Sequence, residues 1–150
     1  MVATVKSYTF NEAPRGSFSL PLNVAAGNEF FVTSVVIKNL AAGDRLMLNG
    51  TIGWSATLLV PGLSELTVRI RRGTPTGPVL FETRDNILVP ANLGSVIGNR
   101  TTSFTHADII TNVFPSEETF YLTTRFENLV GLNTVALQGP IHLGGLLTSP

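Results

Sequence analysis

A chain of 150 residues with ten basic and ten acidic side chains, no cysteine and two histidines has room for one domain and little material for several kinds of chemistry. The balanced charge, with no run of one sign, excludes the electrostatic footprint of a nucleic-acid binder or membrane-surface protein. The missing cysteine excludes a disulfide framework, a thiolate metal site and a cysteine nucleophile. Charged residues make up 13% against about 25% in ordinary domains, and the mean hydropathy is +0.28. No apolar run approaches the roughly 18 residues of a membrane span, so other copies of the chain are the expected cover for part of its surface.

Residues 1–15 read as an N-terminal arm or first strand, with Val2, Thr4, Lys6, Tyr8 and Phe10 on one side and a hinge at Pro14 and Gly16. An extended segment of this kind can add to an open sheet edge of a neighbouring copy. Val5, Tyr8 and Phe10 are the expected assembly residues of that arm. Gly16–Leu22 reads as a short strand stopped by Pro21, and Glu29–Leu40 as a strand apolar on both faces, rich in the β-branched and aromatic residues that suit a pleated surface. Ala41-Ala42-Gly43-Asp44 turns the chain into Arg45–Trp54, and Ala56–Val60 follows, ended by Pro61-Gly62.

From Leu66 to Arg71 the apolar Leu66, Val68 and Ile70 alternate with Thr67, Arg69 and Arg71, the period of a strand with one face buried and one wet. The Gly73–Pro78 stretch breaks the strand, and Val79–Arg84 restarts it as a hairpin. Arg69 and Arg71 on one arm then oppose Glu82 on the other, a cross-strand pairing worth roughly 0.2–1 kcal/mol per contact. Asn86–Asn99, with Pro90, Gly94 and Gly98, reads as a long connection. Arg100–Ala107 is the next strand, with Thr102, Phe104 and His106 on one face. Thr119–Phe126 also fits a helical stripe, but its threonines and its surroundings favour a strand with Phe120, Leu122 and Phe126 on one side. Pro140–Leu147 closes the chain. About nine or ten short strands with turn signals every 8 to 12 residues predict an all-β, single-domain antiparallel jelly-roll sandwich over 16–150.

Candidate chemistry is sparse. His106 and Asp108 fall at i and i+2 on one strand face, two ligands where zinc needs more, and neither His106 nor His142 has the His-x-His partner of a cupin metal site. No Gly-x-Ser-x-Gly elbow or Gly-rich phosphate loop occurs. The expectation is a protein without catalytic residues, cofactor or metal. Trp54 reads as a core or interface plug rather than a sugar-stacking platform. Gly50 and Gly53, flanking Ile52, would let another backbone or ring come close. The N-terminal MVATVKSYTF has no continuous apolar segment or signal-peptide cleavage pattern, so the chain as given reads as cytosolic when made or already processed.

Three stretches occurring in order, Arg45-Leu-Met-Leu-Asn-Gly-Thr-Ile-Gly-Trp54, Val68-Arg-Ile-Arg-Arg-Gly73 with Val79-Leu-Phe-Glu-Thr83, and Leu137-Gln-Gly-Pro-Ile-His-Leu143, resemble exosporium-type spore-surface proteins of spore-forming Gram-positive bacteria. These carry a jelly roll similar to the C1q and tumour-necrosis-factor fold, and the likeness covers about residues 29–147. It implies a spore- or cell-surface location and self-association as trimers, layers or filaments, with no catalytic residues to carry over. The related endospore appendage pilins join through a cysteine-bearing N-terminal connector, and the arm here has no cysteine. The alternative of a different class is a carbohydrate- or receptor-binding jelly-roll module, whose loops would come from residues 86–99.

Overall fold

The computed structural model describes residues 2–13, 20–58, 62–89, 96–112, 114–130 and 133–150. Nine strands follow in order: β1 (Val5–Ala13), β2 (Leu22–Val24), β3 (Glu29–Lys38), β4 (Arg45–Leu58), β5 (Gly62–Arg72), β6 (Val79–Val89), β7 (Val96–Ile109), β8 (Glu117–Val130) and β9 (Asn133–Thr148). No helix occurs among the described residues, and therefore none long and apolar enough to cross a membrane.

The strands form two antiparallel sheets. One has the order β1-β9-β4-β7, with β2 also paired to β9; the other has the order β3-β8-β5-β6. Of the connections from β3 onward, only β5 to β6 stays within a sheet, so the chain wraps around the sandwich as it advances. This interleaving is the jelly roll. β1 and β2 share one side of β9, β1 along Ile141–Thr148 and β2 along Val135–Leu137.

Alternation explains which residues fill the gap between the sheets. From the second sheet come Val35, Ile37, Leu66, Val68, Ile70, Phe120, Leu122 and Phe126; from the first come Leu46, Leu48, Ile52, Trp54, Leu143 and Leu147, all buried. Trp54 is fully buried, its ring centroid 5.6 Å from that of Phe126. Its indole N–H donates to Thr102 Oγ1 (3.0 Å), and that hydroxyl donates to Asp85 Oδ2 on β6 (2.7 Å). A buried indole thus finds its partner and also ties β7 to β6 at one side of the sandwich. At the other side the Asn11 amide of β1 reaches the Ser34 carbonyl of β3.

Gly50 and Gly53 permit the approaches expected of them. A Cβ at Gly50 would sit 2.2 Å from Cζ of Phe104, and one at Gly53 would sit 2.0 Å from the Gly139 carbonyl oxygen. One glycine therefore admits a ring and the other a backbone, beside the irregularity in the β4–β9 register at Ile52/Trp54.

Several expectations are corrected. Of the two readings of residues 1–15, arm or first strand, residues 5–13 take the second and lie on β9 of their own sheet, in register from Ser7↔Leu147 to Ala13↔Ile141. The β9 edge available within the chain captures them, and Lys6 is further held by an ion pair to the buried carboxylate of Asp44. The short strand expected at 16–22 begins only at Leu22, after Pro21, whose missing N–H suits the approach to a strand; residues 14–19 lie outside the described ones. Arg45–Trp54 and Ala56–Val60 are one strand through Leu58. The long connection at 86–99 is mostly strand: β6 continues to Val89 and β7 starts at Val96, and residues 90–95 lie outside the described ones.

Candidate interaction face

The two sheets each present one outer face, and the registers show what lies on them. On the β1-β9-β4-β7 sheet, cross-strand neighbours form rows: Val5, Thr148, Arg45, Ile109; then Tyr8, Leu146, Met47, Ala107; then Phe10, Gly144, Asn49, Thr105; then Glu12, His142, Thr51, Ser103. Across β2 the row is Asn23, Ala136, Ser55, Asn99. Glu12 and Arg45 are the only formal charges among these twenty positions. The rows grade from apolar at the Val5 end to hydroxyl and amide groups beyond Gly144.

Tyr8 and Phe10 stand up at the β1 edge, 55% and 56% exposed, with ring centroids 5.8 Å apart. Phe10 stacks on His142 at 6.0 Å. Across the sheet, Met47 and Ile109 are also exposed (39% and 60%), and between β4 and β7 the surface sinks into an open hollow of about 670 Å³. It is lined by Arg45, Leu46, Met47, Ala107, Asp108, Ile109, Leu146 and Thr148. A second hollow of about 380 Å³ lies further along the same strands, lined by Asn49, Thr51, Ser103, Thr105 and His142. There the Thr51 and Ser103 hydroxyls are 3.1 Å apart, and Asn49 Oδ1 is covered without a hydrogen-bond partner.

The outer face of β3-β8-β5-β6 carries a network of ion pairs beside the exposed Phe31, Val36 and Leu88. Glu29 of β3 reaches across β8 to β5, where Arg71 binds it with two N–H groups (Nε to Oε1 2.7 Å, the terminal nitrogen to Oε2 2.8 Å) and Arg69 adds a third (2.6 Å). The Thr123 hydroxyl between them also donates to Glu29. Arg69 continues to Glu82 (2.7 Å), Glu82 to Arg84, and Arg84 to Glu65 (3.6 Å). The Arg71 hydrogen bonds, supported by Thr123 and Arg69 and opposed by partial burial, hold the Glu29 carboxyl down at about 2. Glu82 is lowered chiefly by Arg69, and both arginines are raised by their carboxylate partners.

Of the residues singled out in the sequence, Val5, Tyr8 and Phe10 share the outer face of the β1-β9-β4-β7 sheet, while Trp54 belongs to the core. His106 lies against Phe81 (5.2 Å) with its Nε2 buried and without a hydrogen-bond partner, and Asp108 Oδ1 accepts from the N–H of Ile109. Among the described residues no three His, Asp or Glu side chains gather as a metal site would require. Met47, Ala107, Ile109 and Leu146 were not singled out. Their signal is an apolar side chain on the outward phase, as in Arg45-Leu-Met-Leu-Asn49, where Leu46 and Leu48 point inward and Met47 does not.

No family model matches the chain, and no curated protein matches it. Among solved structures it is similar to that of the infectious bursal disease virus Gx strain, at 12% identity and TM-score 0.49 over 97% of this chain and 40% of that one. A T13 particle of the same virus gives 15% identity and TM-score 0.49, over 95% and 37%. A structure described as CBM4 gives 16% identity and TM-score 0.28, over 99% and 77%. The chain thus spans about two fifths of the length of the virus chains. All three scores are below 0.5, and nothing beyond the sandwich visible in its own strand order is carried over from them.

Proposed function

We propose that this chain is a non-enzymatic structural subunit that associates with copies of itself through the outer face of the β1-β9-β4-β7 sheet. The observation that carries this reading is the segregation of charge. Ion pairs are concentrated on one face, which also exposes Phe31, Val36 and Leu88, while the opposite face exposes Val5, Tyr8 and Phe10 at its edge and Met47 and Ile109 in a mainly apolar open hollow. Contiguous exposed apolar surface of this kind marks an interaction site. Spore- or cell-surface location, suggested by the resemblance to exosporium-type proteins, belongs to the same proposal and is tested by antibody labelling of intact spores.

Light scattering at micromolar concentration tests self-association. The expected result is a mass above the 16.0 kDa of one chain that does not fall as salt rises, because apolar burial is not screened. A stable monomer contradicts the reading.

One observation favours a second reading, a module for neutral polysaccharide: the hydroxyl- and amide-lined hollow around Asn49, Thr51 and Ser103 beside the Phe10–His142 stack. Calorimetric titration with neutral oligosaccharides tests it, and heats that vanish in Phe10→Ala would support it.

A further inference from the structure

Resting on the self-association reading, we infer that two copies pair face to face about a two-fold axis, each setting Tyr8 into the other's hollow at Met47, Ala107, Ile109 and Leu146 and Phe10 over Asn49 of the next row. Protrusion and recess occur on the same face. Tyr8, Leu146, Met47 and Ala107 form one row, so the aromatic pair and the hollow are about two strand spacings apart, roughly 10 Å. Within one chain they cannot meet, because β9 separates β1 from β4.

When two such faces oppose each other, a two-fold axis in the plane between them, crossing over Leu146, brings each protrusion over the other copy's recess. One insertion then entails the second, and the contact closes as a dimer. A ring entering the hollow meets the mainly apolar lining of Met47, Ala107, Ile109 and Leu146, with Arg45 and Asp108 also contributing to it.

The size of the face is adequate. Four strands at about 4.8 Å and four rows at about 6.8 Å cover roughly 500 Å² per copy, and the pair reaches about 1,000 Å², the lower bound for a specific interface. Glu12 lies in the outermost of these four rows, away from the hollow, whereas Arg45 and Asp108 line the hollow itself.

The chain has no cysteine, so single cysteines report the pairing cleanly. Tyr8→Cys and Met47→Cys proteins are mixed in equal amounts and treated with a bifunctional maleimide of about 10 Å span, the spacing of sheets packed face to face, which a disulfide is too short to bridge. The expected product is the mixed dimer, in excess of either homodimer. Homodimers in excess, with the wild-type oligomer intact by light scattering, would overturn the two-fold pairing and leave self-association standing; a monomeric wild type overturns both.

Charge exchange gives a second readout. Tyr8→Lys and Met47→Glu should each be monomeric alone and dimeric when mixed, because the mixed pair has one Lys–Glu contact and one native contact. A mixture that stays monomeric counts against the pairing, and single variants that still associate like the wild type count against the interface itself.

Discussion

The outer faces of the two sheets are made of the same backbone and differ almost entirely in how they meet water. On β3-β8-β5-β6, threonine and charged side chains alternate with the core residues, and Glu29, Arg69, Arg71, Glu82 and Arg84 satisfy one another across three strands. On β1-β9-β4-β7 the rows hold Tyr8, Phe10, Met47, Ile109, Thr51 and Ser103, with Glu12 and Arg45 the only charges among their twenty positions. The first face ties its charges together within the isolated chain, with Phe31, Val36 and Leu88 exposed beside them. The second leaves apolar side chains in water, which is how one domain can carry a stable exterior and an adhesive one.

The largest expected effect concerns what both faces share. Trp54→Ala should cost about 3–5 kcal/mol in denaturant unfolding, because it opens a cavity and leaves Thr102 without its donor. A loss under about 1 kcal/mol would mean that the ring is dispensable to the core.

Next is the keystone of the charged face. Glu29→Gln should destabilise by roughly 1–3 kcal/mol, since Arg69 and Arg71, each less than one-fifth exposed, lose the carboxylate between them. The oligomeric mass should not change. Dissociation in this variant would break the division of labour between the faces.

The same residue sets an acid limb. The folded-state pKa of Glu29, about 2, lies below the ordinary 4.5, so its stabilising contribution is fully present above about pH 4.5 and is lost as pH falls toward 2. After solvent screening the loss is about 1–2 kcal/mol. Thermal unfolding from pH 7 to pH 2 measures it, and the Glu29→Gln profile should be flatter over that window. Identical profiles would show that the carboxylate is not held by its arginines.

Much of this was legible in the chain. The alternation of Leu66, Val68 and Ile70 with Thr67, Arg69 and Arg71 gave β5 and both of its faces, and the turn at Gly73–Pro78 placed Arg69 against Glu82. Glu29 was not legible as their partner. It is 40 residues from Arg69 and on a strand that does not neighbour β5, so only the sheet order shows that it can reach across β8. Tyr8 and Phe10 could be identified as outward aromatics, but whether their strand belonged to the domain depended on β9, more than 130 residues away. Pro90, Gly94 and Gly98 suggested a longer connection at 86–99 than exists, since glycine is also used inside strands: Gly98 lies in β7 where the Ile87 side chain needs the space.

Self-association through the outer face of the β1-β9-β4-β7 sheet is tested most directly by the mass of Met47→Glu beside that of the wild type and of Glu82→Gln, measured by light scattering at the same micromolar concentration. Met47 is exposed, so its replacement by Glu should alter stability by less than about 1 kcal/mol while placing a charge at the hollow, where desolvating it opposes association. The predicted result is a fall to a single 16.0 kDa chain for Met47→Glu, with wild type and Glu82→Gln remaining oligomeric. Three equal masses, or dissociation of Glu82→Gln alone, would contradict it.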